Sequence, residues 1–136
     1  MLYNKPMEKI SEKKRFSLIS RFKSTNHGLR GLGVFIKTTH NLWLHLFFAG
    51  LAIYMGFICF LSSVEWAIII FAIGLVIIAE AFNTAIEIDI DLTSPNYHPY
   101  ARDTKDVAAA AVSIATIIAG IMGLLIFLPK VLALIF

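Results

Sequence analysis

Three apolar runs, Leu42–Leu61, Trp66 to about Leu92 and about Val107–Leu128, govern what this chain of 136 residues can fold into. About 20 residues of helix cross the ~30 Å hydrocarbon layer of a bilayer, and inside that layer only helices and closed barrels satisfy their own backbone. A hydrophobic share of 58% beside 15% charged residues exceeds what a small soluble domain carries. The chain therefore reads as an all-α membrane protein with three transmembrane helices.

The basic residues orient these spans. Nine of the twelve lysines and arginines, from Lys5 to Lys37, precede the first span. The connection Ser62-Ser63-Val64-Glu65 has none, the second connection has Arg102 and Lys105, and Lys130 lies near the end. Positive charge marks the cytoplasmic side, which puts the N-terminus and the second connection inside the cell. A charged lead of this length does not fit a cleaved secretory signal. Residues 1–15 read as a flexible polar tail. Within 16–39, Phe16, Ile19, Phe22, Leu29, Leu32, Phe35 and Ile36 alternate with basic residues, as in an amphipathic interfacial helix. Gly28, Gly31 and Gly33 allow that segment to divide into two short helices. Its place beside a span favours anionic lipid headgroups over nucleic acid as the partner of the positive charge. Cys59, the single cysteine, lies within the first span, so the chain alone offers neither a disulfide nor a cysteine zinc site.

The second span ends in acids: Ile77 to Leu92 reads IIAEAFNTAIEIDIDL. Fourteen residues separate Trp66 from Glu80, about 21 Å at ~1.5 Å per residue, so Glu80 lies in the inner part of the hydrocarbon layer. At about 100° per residue and with Glu80 at zero, Asn83 falls near ~300°, Glu87 near ~340° and Asp91 near ~20°, while Asp89 falls near ~180°. An ionised carboxylate at that depth costs about 3 kcal/mol even on the mild insertion scale, so this stripe has to face protein or a wet cleft. A solvated helix end explains Asp91, but it does not explain Glu80.

Beyond it, Ser94-Pro95 and His98-Pro99 break the helix, and Asp103 or Thr104 is placed to cap the third span. That span carries small residues at Ala111, Ala115, Ala119 and Gly123, a spacing that permits close helix contact in a membrane.

The run EAFNTAIE with a following aspartate, then YHP, then KDVAAAAV, resembles the signature of the prokaryotic diacylglycerol kinase and undecaprenol kinase family of small three-helix membrane enzymes. The likeness runs from about Gly28 to the end and includes Gly31-Leu32 and the NLWLHL start of the first span. Ser94-Pro95 and YHPYA resemble the undecaprenol kinase branch. The resemblance implies an ATP-dependent lipid kinase working with Mg²⁺, a homotrimer with sites between protomers, and a membrane lipid, undecaprenol or diacylglycerol, as phosphoryl acceptor. It also implies Glu80 as catalytic base, Glu87 as metal ligand, and Asn83, His98, Lys105 and Asp106 as nucleotide or substrate contacts.

The chemistry of these residue types agrees with those roles. Phosphoryl transfer to an alcohol needs an acceptor for the hydroxyl proton, a divalent ion on the phosphates and a cation against developing charge. Glu80 has the depth of a membrane-embedded hydroxyl, Glu87 offers hard oxygen nearer the surface, and Lys105 with Asp106 stands at the headgroup level. The sequence contains neither G-x-x-x-x-G-K-[ST] nor a G-x-G-x-x-G after a strand, so the nucleotide is implied by the resemblance alone.

The family commonly places a glutamate, taken as a second metal acid, where this chain has Thr39. Thr39 thus leaves two outcomes open, a weaker metal site or a catalytically degenerate family member. His27, His40 and His45 read as imidazoles between headgroups and protein rather than ligands. A channel or transporter subunit is the alternative of another class, but the acids cluster on one side instead of lining the whole bilayer. Three helices offer little shared surface to shield Glu80 from lipid, and oligomerisation would help to hide it.

Overall fold

The computed structural model describes residues 18–135, with side chains from residue 25 onward. The expected tail at 1–15 and the start of the interfacial helix at residue 16 lie outside the described residues. Four helices are formed, α1 (Leu18–Thr38), α2 (Leu42–Ile58), α3 (Ser63–Thr93) and α4 (Pro99–Ile135), and no strand occurs among the described residues.

The chain divides into two units between Gly33 and Val34. In the first, α1 is continuous through Gly28 and Gly31 instead of breaking there, and Leu29 and Leu32 are exposed. The second unit contains the end of α1 and the three helices that follow. Its widest interface joins α3 to α4, with α2 packed mainly on α3.

Helices α3 and α4 are each long and apolar enough to cross a membrane. Helix α2 has 17 residues, about 26 Å at ~1.5 Å per residue, and ends before the expected Leu61. The spanning helices number two by length, and three when α2 is counted with the helical residues bent against it.

The early end of α2 has a local cause. Phe60 takes φ 48°, its N–H donates to the Phe57 carbonyl at 3.3 Å, and the Leu61 N–H donates to the Gly56 carbonyl at 3.1 Å. This paired closure is the Schellman arrangement, with phenylalanine in the left-handed position that glycine usually fills. Leu61 then turns inward and packs with Cys59, Ile69 and Ile126, and Trp66 and Phe127 border the cluster. Helix α3 starts at once with a capping box. The Ser62 hydroxyl accepts from the Glu65 N–H, and the Glu65 carboxylate accepts from the Ser62 N–H at 2.7 Å. A cap of this kind contributes about 1 kcal/mol. Glu65 also meets Lys130 of α4 at 3.2 Å, which ties α4 to the turn.

Gly56 sits where the Trp66 ring crosses α2; a Cβ there would lie 2.7 Å from Cη2 and 3.0 Å from Cζ2 of the indole. The ring also packs against Phe57 in a tilted contact, centroids 4.9 Å apart, which restricts its retreat. Gly56→Val is therefore expected to destabilise the protein by about 1–3 kcal/mol, read as a lower thermal midpoint in detergent. Gly50→Val, at a position with open space around its Cα, is the control and should shift the midpoint far less.

At the other end α3 runs to Thr93, and the Ser94 N–H donates to the Ile90 carbonyl. The expectation that Asp103 or Thr104 caps the next helix is corrected, because α4 already starts at Pro99. Proline suits a first helical position, where its missing N–H would have no helical partner, and the His98 carbonyl accepts from the Arg102 N–H at 3.1 Å. The small-residue stripe holds from Ala115 through Ala119 to Gly123, which is half-buried, and only its first position fails. Ala108, Val112 and Ala115 are buried and Ala119 is half-buried, whereas Ala111 is exposed.

Candidate active site

Burial of α3 is concentrated on the stripe expected from its spacing. Glu80, Asn83 and Thr84 are buried at 2%, 8% and 5% exposure. Glu87 is half-buried, and Asp91 is exposed at the helix end. Asp89 is exposed on another face, in keeping with its angular position. A single chain thus already covers Glu80, and the expectation that three helices would leave it to lipid is corrected: neighbouring segments cover the stripe at Glu80, Asn83 and Thr84.

Each polar group in the stripe has a defined neighbour. His45, on the first turn of α2, brings Nε2 to 3.8 Å from Glu80 Oε2. One turn further along α3, the Thr84 hydroxyl pairs with that of Thr39 at 2.7 Å, both side chains buried. Such a bond contributes about 1 kcal/mol, and losing one partner inside this packing would cost more. Asn83 Nδ2 donates to Glu87 Oε1 at 3.1 Å. Asn83 Oδ1 is buried and has no hydrogen-bond partner among the described residues, which leaves it able to accept from a bound group.

The basic residues arrive from α4. Lys105 Nζ contacts Asp91 Oδ1 at the C-terminal end of the stripe. Asp106 pairs with Arg102 at 3.5 Å, so it is not the partner of Lys105. Both members of that second pair are largely exposed, and such pairs contribute little to stability. His98 is exposed and contacts Tyr100, ring centroids 5.6 Å apart. The structure therefore joins Glu80, Asn83, Glu87, Asp91 and Lys105 along one line and sets His98 and Asp106 on the surface.

An apolar groove of about 320 Å³ opens between α2, α3 and α4, lined by Phe48, Ala52, Ile73, Val76 and Ala119 among others. His45 lines its inner end, beside Thr116 and Ile77. Apolar space thus leads up to the imidazole that faces Glu80. Among the described residues no three histidine, cysteine or carboxylate side chains converge as a metal cage.

A buried carboxylate behind a histidine that lines an apolar groove, with a polar stripe leading to a lysine, suits chemistry on a lipid headgroup. The model of the prokaryotic diacylglycerol kinase family matches residues 26–127, which takes in every part of this arrangement. The chain belongs to the prokaryotic diacylglycerol kinase family. It is 43% identical over 109 residues to the undecaprenol kinase of Bacillus subtilis, covering 80% of this chain and 89% of the relative. It is 32% identical over 131 residues to the diacylglycerol kinase of Synechocystis, covering 96% of this chain and 73% of the relative. A diacylglycerol kinase of Helicobacter pylori matches at 38% identity over 47 residues, 35% of this chain and 37% of the relative. No solved structure matches the chain.

In this family member two site neighbours escaped the sequence reading. Thr84 lies on the Glu80 stripe, about 40° round the helix, and its burial was readable from that angle. His45 was assigned to the headgroup region, yet it turns inward to Glu80; nothing in the spacing of α2 alone specifies that contact.

Proposed function

We propose that this lipid kinase transfers the γ-phosphoryl group of ATP to the hydroxyl of undecaprenol at the cytoplasmic face of a bacterial membrane, with diacylglycerol as the second acceptor to test. The observation that carries this reading is the buried Glu80 carboxylate, 3.8 Å from the His45 ring that lines an apolar groove and two helical turns from a half-buried Glu87. The undecaprenol kinase relative orders the two acceptors.

In this mechanism the lipid chain approaches from the membrane and its hydroxyl meets Glu80. The carboxylate takes the hydroxyl proton while the lipid oxygen bonds to the γ-phosphorus, and the bond from that phosphorus to the bridging oxygen of ADP breaks. Asn83, with its free carbonyl oxygen and its amide held by Glu87, orients the groups between base and nucleotide. Lys105 exchanges its contact with Asp91 for phosphate oxygens, and Asp106 and His98 contact the nucleotide from the surface.

The donors present fit a magnesium ion carried by the nucleotide. Mg²⁺ ordinarily takes one or two carboxylates together with phosphates and water, and the single half-buried Glu87 beside the unpartnered Asn83 oxygen offers hard oxygen of that kind. Glu87 would hold the ion. When bound, it neutralises charge on the phosphates. The buried Thr39 hydroxyl is taken up by Thr84 and adds no anionic ligand.

The reading includes a cytoplasmic N-terminus and loop between α3 and α4, supported by the basic residues there. It also includes a homotrimer, supported by the exposed apolar flanks of the helices and by exposed Asp89, which an assembly can cover. ADP release by the purified full chain in micelles tests the assignment. Turnover is expected to depend on an added lipid alcohol, with undecaprenol the better acceptor. ADP release that ignores both lipids would contradict it.

A further inference from the structure

We propose that His45 is a positioning residue for Glu80, fixing one carboxylate oxygen so that the other faces the acceptor hydroxyl. The inference rests on the lipid kinase reading and adds a residue to it. His45 is mostly buried, with 14% of its side chain exposed, and Glu80 has 3% exposed, so the two face each other across protein. The ring also lines the inner end of the apolar groove, so it stands where lipid chain and carboxylate meet.

The geometry leaves a specific task for the imidazole. At 3.8 Å the pair is beyond hydrogen-bond length. Hydrogen bonds that serve catalysis are often long without substrate and tighten when it binds. With Nε2–H donating to Oε2, rotation of the carboxylate is arrested and Oε1 is left to accept the hydroxyl proton. Among the described residues no hydrogen bond to Glu80 restrains it: the Asn83 amide donates to Glu87, and Thr84 pairs with Thr39. The remaining polar group beside the ring in the groove, Thr116, turns its hydroxyl to the Val112 carbonyl at 2.9 Å. His45 is thereby the side chain placed to hold Glu80 still.

The test uses the full chain in micelles and four variants: His45→Leu, His45→Gln, Glu80→Gln and the Glu80→Gln/His45→Leu double variant. His45→Leu is expected to lower kcat about tenfold, the scale of supporting contacts around reacting groups, with KM for lipid and ATP within about twofold. His45→Gln places an amide N–H near Nε2 and should recover most of the loss. In the Glu80→Gln background, His45→Leu should cost nothing further. An equal loss in both backgrounds, a change confined to KM, or a His45→Gln variant as slow as His45→Leu would overturn the proposal. A wild-type chain that phosphorylates no lipid would instead sink the kinase reading. The pairing has its own readout in that event: the ¹⁵N signals of the His45 ring should move with Glu80→Gln and stay in place with Glu87→Gln. Unmoved signals with Glu80→Gln would overturn it as well.

Discussion

Glu80→Gln is expected to reduce turnover by about 10²-fold or more while leaving nucleotide affinity nearly unchanged. Glutamine keeps the shape of the side chain and its capacity to hydrogen-bond, but it cannot take the proton of the lipid hydroxyl, and a positioned general base contributes about 10²–10⁴-fold. A loss of 10² corresponds to about 2.7 kcal/mol of transition-state stabilisation. Nucleotide affinity is spared because Glu80 lies about 10 Å deeper along α3 than Glu87, seven residues at ~1.5 Å each. Steady-state kinetics on the folded protein, with thermal stability measured alongside, separates lost chemistry from lost structure. Near-normal turnover would make the buried carboxylate a structural group and bring the degenerate-member and channel readings forward.

Glu87→Gln should act on the other substrate. Removing the carboxylate at the surface end of the stripe is expected to raise the apparent KM for Mg²⁺–ATP by about 10–100-fold, the usual cost of losing a group at a metal site, with the KM for lipid little changed. The reciprocal change is Thr39→Glu. Residue 39 packs against Thr84, which lies between Glu80 and Glu87 on α3. A carboxylate there is within reach of an ion at Glu87, and the Mg²⁺ concentration for half-maximal activity should fall. The substitution also breaks the buried hydroxyl pair, so the variant should be less stable without Mg²⁺ than with it. An unchanged Mg²⁺ requirement in an active Thr39→Glu enzyme would place residue 39 outside the metal's reach.

The sequence made the site on α3 legible because one helix carries it. Angular position alone grouped Glu80, Asn83, Glu87 and Asp91, and depth alone separated a buried from a surface carboxylate; both follow from regular helix geometry. Contacts between helices were less legible. His45 reaches Glu80 from α2 and Thr39 reaches Thr84 from the α1–α2 connection, and each depends on how α2 lies against α3, which no spacing within one element encodes. Helix ends were misplaced for local reasons. Phe60 accepts a left-handed backbone that the sequence gives no cause to expect, which ends α2 at Ile58. Pro99, read as a breaker, starts α4 instead. The failure of the small-residue stripe at Ala111, where Ala108 is buried instead, has the same origin as His45: the choice of packed face is made by the partner helix.

The most direct measurement is transfer of ³²P from γ-labelled ATP by the purified full chain in micelles containing undecaprenol or diacylglycerol, with the lipid phase extracted and counted. Label is expected in undecaprenyl phosphate, in amounts that grow with time and fall by about 10²-fold or more for Glu80→Gln. Label that stays in ATP or appears only as inorganic phosphate, with both lipids present and the protein folded, would contradict the assignment of this chain as a lipid kinase.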